Sequence, residues 1–234
     1  MAGYCEWSQG IQWGKDIGCK NVFSPATFAR VAYDYFEHFS PSRIISTTAY
    51  AGQTVTQTAT GTLVMQDDAG GWLGYLGGAD GNGVQTQSDG EAFLPAANKD
   101  IYFETSIKAE DGDDLDWFIG LAMTDADILN TDPNDLIAFR GADGSANITF
   151  QVRSGGTGAA ADTGYDFGDG TAVTLGFHVR GITSVVPYVN GVALTAVTAN
   201  IPTNEMSVSV AMYNGATAAT QTMSVDYIKA SQPI

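Results

Sequence analysis

Residues 171–194 read as a β-hairpin, and that reading constrains the rest of the chain. Val173, Leu175, Phe177 and Val179 alternate with Thr174, Gly176, His178 and Arg180, the period-two pattern of a strand with one face in a core. A second run, 185–189, reaches Asn190-Gly191 and continues through 192–197. Both turn residues tolerate the positive φ of a type I′ turn, so Asn-Gly between two such runs predicts an antiparallel hairpin.

The same period recurs along the chain. Ile101, Phe103, Thr105 and Ile107 alternate with Tyr102, Glu104, Ser106 and Lys108, which predicts a half-buried strand. Residues 116–123 are apolar on both faces and predict a central strand. A second hairpin is expected where 136–140 and 147–153 flank Gly141-Ala142-Asp143-Gly144. Met206, Val208, Val210 and Met212, then Met223, Val225 and Tyr227, repeat the alternation near the end. Short strands are also expected at 44–48, 53–60 and 62–66. Between them and residue 101, the glycine-rich stretch 70–78 reads as a bend anchored by Trp72, Tyr75 and Leu76, and 79–90 as a loop. Residues 155–164, almost without large side chains, read as a flexible connector. Strands at this spacing predict an all-β sandwich or jelly roll.

The first forty residues differ in kind. Ser24-Pro25 reads as an N-cap with proline at the first helical position. Phe28, Val31, Ala32, Tyr35, Phe36 and Phe39 then fall on one helical stripe, with Arg30, Asp34 and Glu37 opposite, and Ser40-Pro41 as the stop. This predicts an N-terminal arm, 1–41, with an amphipathic helix at about 25–39, ahead of a β-sandwich domain at 42–234. The stripe packs on the chain's own sandwich or docks on a neighbouring subunit; both readings stay open.

Charge narrows the partners. Only 15% of residues are charged, and 26 acids against 10 bases give a net charge of −16. Such a chain repels phosphate and has no Lys/Arg cluster, which disfavours nucleic acid and anionic membranes. No secretory peptide and no long apolar run is evident, so synthesis in a cytosol is expected. Cys5 and Cys19, fourteen apart, read as two ordinary thiols or as one mutual disulfide.

Several runs resemble the concanavalin A-like, laminin G-like jelly-roll proteins of tailed bacteriophages, in particular capsid decoration (cement) proteins. They are the runs 114–122 and 137–144, Val173-Thr174-Leu175-Gly176-Phe177, Val189-Asn190-Gly191, Ile201-Pro202 and Val225-Asp226-Tyr227-Ile228. The resemblance covers roughly residues 100–230. It implies a virion component without catalysis on the capsid surface, made in the host bacterial cytoplasm. Such a protein binds across major capsid protein subunits and often self-associates as a homotrimer. Phe23, Phe28, Val31, Tyr35, Phe36 and Phe39 of the arm are then the capsid-facing residues. The alternative is a carbohydrate-binding module of a phage tail or fibre, stacking sugars on Trp72, Tyr75, Tyr165 and Tyr188.

The sequence carries little recognisable catalytic chemistry. A glycosidase needs two carboxylates about 5 to 9 Å apart, and in the laminarinase-like branch of this fold they lie on one strand as Glu-x-Asp-x-x-Glu. That run is absent, Glu104 is alone on its strand, and neither His38 nor His178 belongs to a recognisable triad. No catalytic residue is assigned, and no enzyme is expected. Asp111, Asp113, Asp114 and Asp116 offer hard oxygen ligands that would suit a structural calcium ion. They lack the EF-hand spacing, and four acids in six residues are more often a solvated turn; no other cofactor is expected.

Overall fold

The computed structural model describes residues 52–66, 71–216 and 220–233, and the backbone of four short segments before them. Two sheets face each other. Across sheet one the order is Ala160–Asp166 (β13), Ser145–Arg153 (β12), Leu136–Ala142 (β11), Leu115–Ala122 (β10), Ser207–Asn214 (β17), Gly83–Ser88 (β8), Gln53–Thr58 (β5) and Ala49–Tyr50 (β4). Sheet two runs Val192–Ala193 (β16), Ser184–Val189 (β15), Val173–Arg180 (β14), Ile101–Ala109 (β9), Thr222–Pro233 (β18), Trp72–Leu76 (β7) and Thr62–Gln66 (β6). Glu6–Trp7 (β1) and Ile11–Gln12 (β2) pair separately. Neighbours in sequence often lie far apart in a sheet, as in a jelly roll: β10 sits between β11 and β17, and β9 between β14 and β18.

Hydrophobic burial between the sheets holds the sandwich together. Trp117, Ile119 and Leu121 of β10 are fully buried, facing Phe103, Ile107, Leu175 and Phe177 of sheet two in one continuous core. Four rings link the layers: Phe139 to Phe150 at 4.8 Å, Phe150 to Phe177 at 5.9 Å, and Phe177 stacked on Phe103 at 4.7 Å. The expected hairpin closes as a type I′ turn, with φ of +50° at Asn190 and +76° at Gly191. Asn190 Oδ1 also accepts from the Thr174 amide at 3.0 Å.

Four expectations need correction. Residues 32–38 form a strand, Ala32–His38 (β3), where the apolar stripe predicts a helix at 25–39. Seven residues of β3 pair with β18, from Tyr227↔His38 to Pro233↔Ala32. Short aromatic runs satisfy either period, and a waiting sheet edge decides for the extended one. Phe23, Phe28, Val31, Phe39, Cys5, Cys19 and 44–48 lie outside the described residues. Within the expected loop 79–90 lies β8, a strand buried along its whole length between β17 and β5. Its Gln85, Thr86, Gln87 and Ser88 carry no apolar alternation. The turn-like stretch 70–78 likewise contains β7, and the connector 155–164 runs into β13.

Polar pairing explains how β8 stays buried. Thr86 Oγ1 meets the Tyr75 hydroxyl at 2.7 Å on the core side. On the outer side Gln85 and Gln87 hold the segment after β10: Gln85 Nε2 donates to Asp125 O at 2.7 Å, and the Ile128 and Asp125 amides donate to Gln85 Oε1 and Gln87 Oε1. This segment includes the short helix Ile128–Thr131 (α1), whose Ile128 covers Phe118, Ala122, Leu136, Ala138 and Ala211. The middle of sheet one's outer face is thereby filled by the chain itself.

Candidate functional site

The outer face of sheet two gathers the ring-bearing and ionisable side chains. Strand register sets them in rows. Tyr188, Gly176, Glu104 and Lys229 align across β15, β14, β9 and β18; Val186, His178, Tyr102 and Ser231 form the next row; Thr174, Ser106 and Tyr227 lie on the other side. All belong to positions that alternate with core residues, so the packing that buries Phe103, Leu175 and Phe177 turns them outward.

Glu104 is at the centre. Its Oε1 accepts from the Tyr227 hydroxyl at 2.9 Å and from Lys229 Nζ at 3.1 Å. Lys229 Nζ also lies 4.1 Å from the Tyr227 ring centroid, within cation–π range. Burial, then the Glu104 charge and hydrogen bond, push the Tyr227 phenol well above its ordinary pKa, so Tyr227 stays a proton donor to the carboxylate. In the adjacent row Tyr102 stacks on His178 with centroids 4.4 Å apart and planes 16° from parallel. His178 Nε2 faces Asp100 Oδ2 at 2.9 Å. Burial, with the Asp100 charge second, also raises the Tyr102 pKa. Trp72 borders the face, with Lys108 Nζ 4.5 Å from its ring centroid.

The sugar-stacking candidates separate. Trp72 and Tyr188 lie on this face, half-buried. Tyr75 does not: it is fully buried in the core against Thr86, so its assignment to a stacking platform is corrected. Adjacent positions in a strand point to opposite sides, and β7 turns Tyr75 inward with Leu73. Tyr165 packs against the core from β13, on the other sheet. Tyr102, Glu104, His178, Tyr227 and Lys229 form the middle of the face without a sequence assignment to it. The available signal was a tyrosine at an outward position on two strands, Tyr102 and Tyr188; Tyr227, in phase with Met223 and Val225, is expected inward, and the bulge at Asp226 turns it outward.

The aspartates offered for calcium have separate tasks. Asp114 is buried and accepts from Gln221 Nε2 at 3.0 Å, while Asp116 accepts from the Asp143 amide at 3.1 Å. Asp111 accepts from the Asp113 amide at 3.4 Å. A hydrogen bond with the Asp113 carboxyl, then burial, raises the Asp111 pKa. Among the described residues no group of three or more His, Cys, Asp or Glu side chains is placed to hold a metal ion.

Comparison with known proteins bears on the fold. No family model matches the chain, and no curated protein matches it. Solved structures do. A protein of unknown function from Shewanella oneidensis MR-1 aligns at a TM-score of 0.60 and 10% identity, over 92% of this chain and 96% of that one. A Bacillus licheniformis beta-glucanase aligns at 0.57 and 14%, over 84% and 96%. Arcelin-5, a lectin-like defense protein from Phaseolus vulgaris, aligns at 0.57 and 9%, over 87% and 99%. The fold is the concanavalin A-like jelly roll shared by lectin-like proteins and glucanases. These matches lend no support to a virion role. They also correct the expectation that the chain is no enzyme, because several are named as glycosidic hydrolase, glucanase or transglycosylase.

Proposed function

We propose that the chain recognises a polysaccharide along the outer face of sheet two. The observation that carries this reading is the concentration of Trp72, Tyr102, Tyr188 and Tyr227 around Glu104, Lys229 and His178. Sugar rings present apolar C–H faces that pack on aromatic side chains, and their hydroxyls need charged or polar partners between the rings. Glu104 is the carboxylate that would meet those hydroxyls.

The test is affinity electrophoresis through gels containing laminarin, lichenan or glycol chitin, with release of reducing ends followed in parallel. Retardation by one of them, lost in Tyr102→Ala and Tyr188→Ala, supports the reading. Release of reducing ends that stops in Glu104→Gln would add catalysis to recognition. Migration unchanged in all three gels would refute it.

A second reading is decoration of a bacteriophage capsid by a self-associating, trimeric form bound across major capsid protein subunits. It rests on the jelly-roll runs already quoted. Co-sedimentation with expanded, DNA-free phage heads, by the full chain but not by a version beginning at Ser42, is its expected result. Failure of the full chain to sediment with heads would remove it.

A further inference from the structure

We propose that β13, with the groove behind it, binds an extended segment of a partner protein in which apolar residues alternate with lysine or arginine. Three observations converge. First, β13 is the last strand of sheet one at this side: it pairs with β12, and no described strand lies on its other edge. An open edge presents unpaired backbone donors and acceptors, which is what an added strand requires.

Second, the two sheets part at this edge and leave a groove of about 380 Å³. Phe150, Pro187, Leu194 and Val197 give it apolar walls, and Asp162, Thr163 and Thr195 its polar part. An incoming strand that pairs with β13 would turn alternate side chains toward these walls. β13 runs regularly beside β12 over Ala160–Asp162 and rejoins it at Asp166 after a bulge, so a partner strand would pair along the 160–162 stretch, about 10 Å long.

Third, the charge selects the partner. Asp162 and Asp166 are exposed on β13, none of the nine residues lining the groove is basic, and the chain carries a net charge of −16. Two copies of β13 brought side by side would set these carboxylates against each other. A basic segment would neutralise them and be attracted from a distance. The occupant is therefore a cationic, extended partner, and the edge is distinct from the ring-bearing face of sheet two.

The experiment titrates the full chain with a fluorescent peptide of about nine residues alternating lysine with valine or threonine. A matched peptide with glutamate for lysine is the control. Anisotropy at about 50 and about 300 mM salt reads affinity, and amide hydrogen exchange reads the place. Saturable binding of the lysine peptide is expected, with added protection at 160–166 and no binding of the glutamate peptide. Asp162→Asn/Asp166→Asn should weaken it by about tenfold and lower its salt dependence. Asp162→Asn keeps the oxygen that accepts from the Gly164 amide, so the bend within β13 is retained. Leu194→Glu tests the groove wall separately and should also weaken binding. No saturable binding at millimolar peptide, equal binding of both peptides, affinity indifferent to either variant, or protection outside 160–166 would each overturn the proposal.

Discussion

Gly141 stands directly opposite Trp117 across β11 and β10, so close that a methyl group at 141 would lie 1.9 Å from the indole Nε1. The indole is fully buried and meets Phe167 edge-on at 5.2 Å. Neither ring has room to retreat. Gly141→Ala should therefore destabilise the sandwich by about 2 to 3 kcal/mol, the cost of overpacking a close-fitted core. Urea unfolding checks this: the midpoint falls while the slope is kept.

Tyr75 and Thr86 bring the two sheets together through one hydroxyl pair. Tyr75→Phe keeps the ring and strands Thr86 Oγ1 in the core, at a cost of about 1 to 2 kcal/mol. Making the change together with Thr86→Val removes both polar groups and should recover most of that loss. Thermal melts of the two variants would separate a hydrogen-bond effect from a packing effect.

Asp132 joins Arg140 and Arg153 at 2.6 and 2.8 Å. The guanidinium side chains are only 18% and 19% exposed, and Asp132 is 35% exposed. Removing the carboxylate leaves two poorly hydrated cations side by side. Asp132→Ala should cost about 2 kcal/mol, between an exposed pair and a fully buried one. A double-mutant cycle with Arg153→Met measures the pair itself.

Tyr213 links stability to alkaline pH. Its hydroxyl donates to Asp127 Oδ1 at 2.7 Å, and burial, aided by that contact, raises its pKa from 10.0 to about 12. The neutral phenol is the folded form, so its contribution is complete below pH 10. It disappears as pH rises toward 12, because the unfolded chain ionises first. Stability should fall by about 2 to 3 kcal/mol over that window from this group alone. Tyr213→Phe should flatten that part of the profile, read by denaturant midpoints at successive pH values.

Much of the sandwich was legible from period-two alternation, because burying one face of a strand leaves a direct trace in sequence. Residues 101–108, 136–153 and 173–189 took their expected places as strands or hairpins. The polar strand β8 left no such trace. Its glutamines are buried by bonding to the segment around α1, which is forty residues away in the chain. The helical stripe misled for a related reason: pairing with β18, almost two hundred residues later, outweighed local periodicity at 32–38.

Sequence by itself determined the antiparallel β class, the Asn190-Gly191 turn and the inward face of the well-patterned strands, all of which rest on local backbone sterics and burial. Tertiary structure alone decided which outward residues share a surface. Glu104, His178, Tyr188, Tyr227 and Lys229 meet because β9, β14, β15 and β18 align in one register. Jelly-roll strand order places distant segments side by side, and no local pattern encodes which outward positions fall in one row.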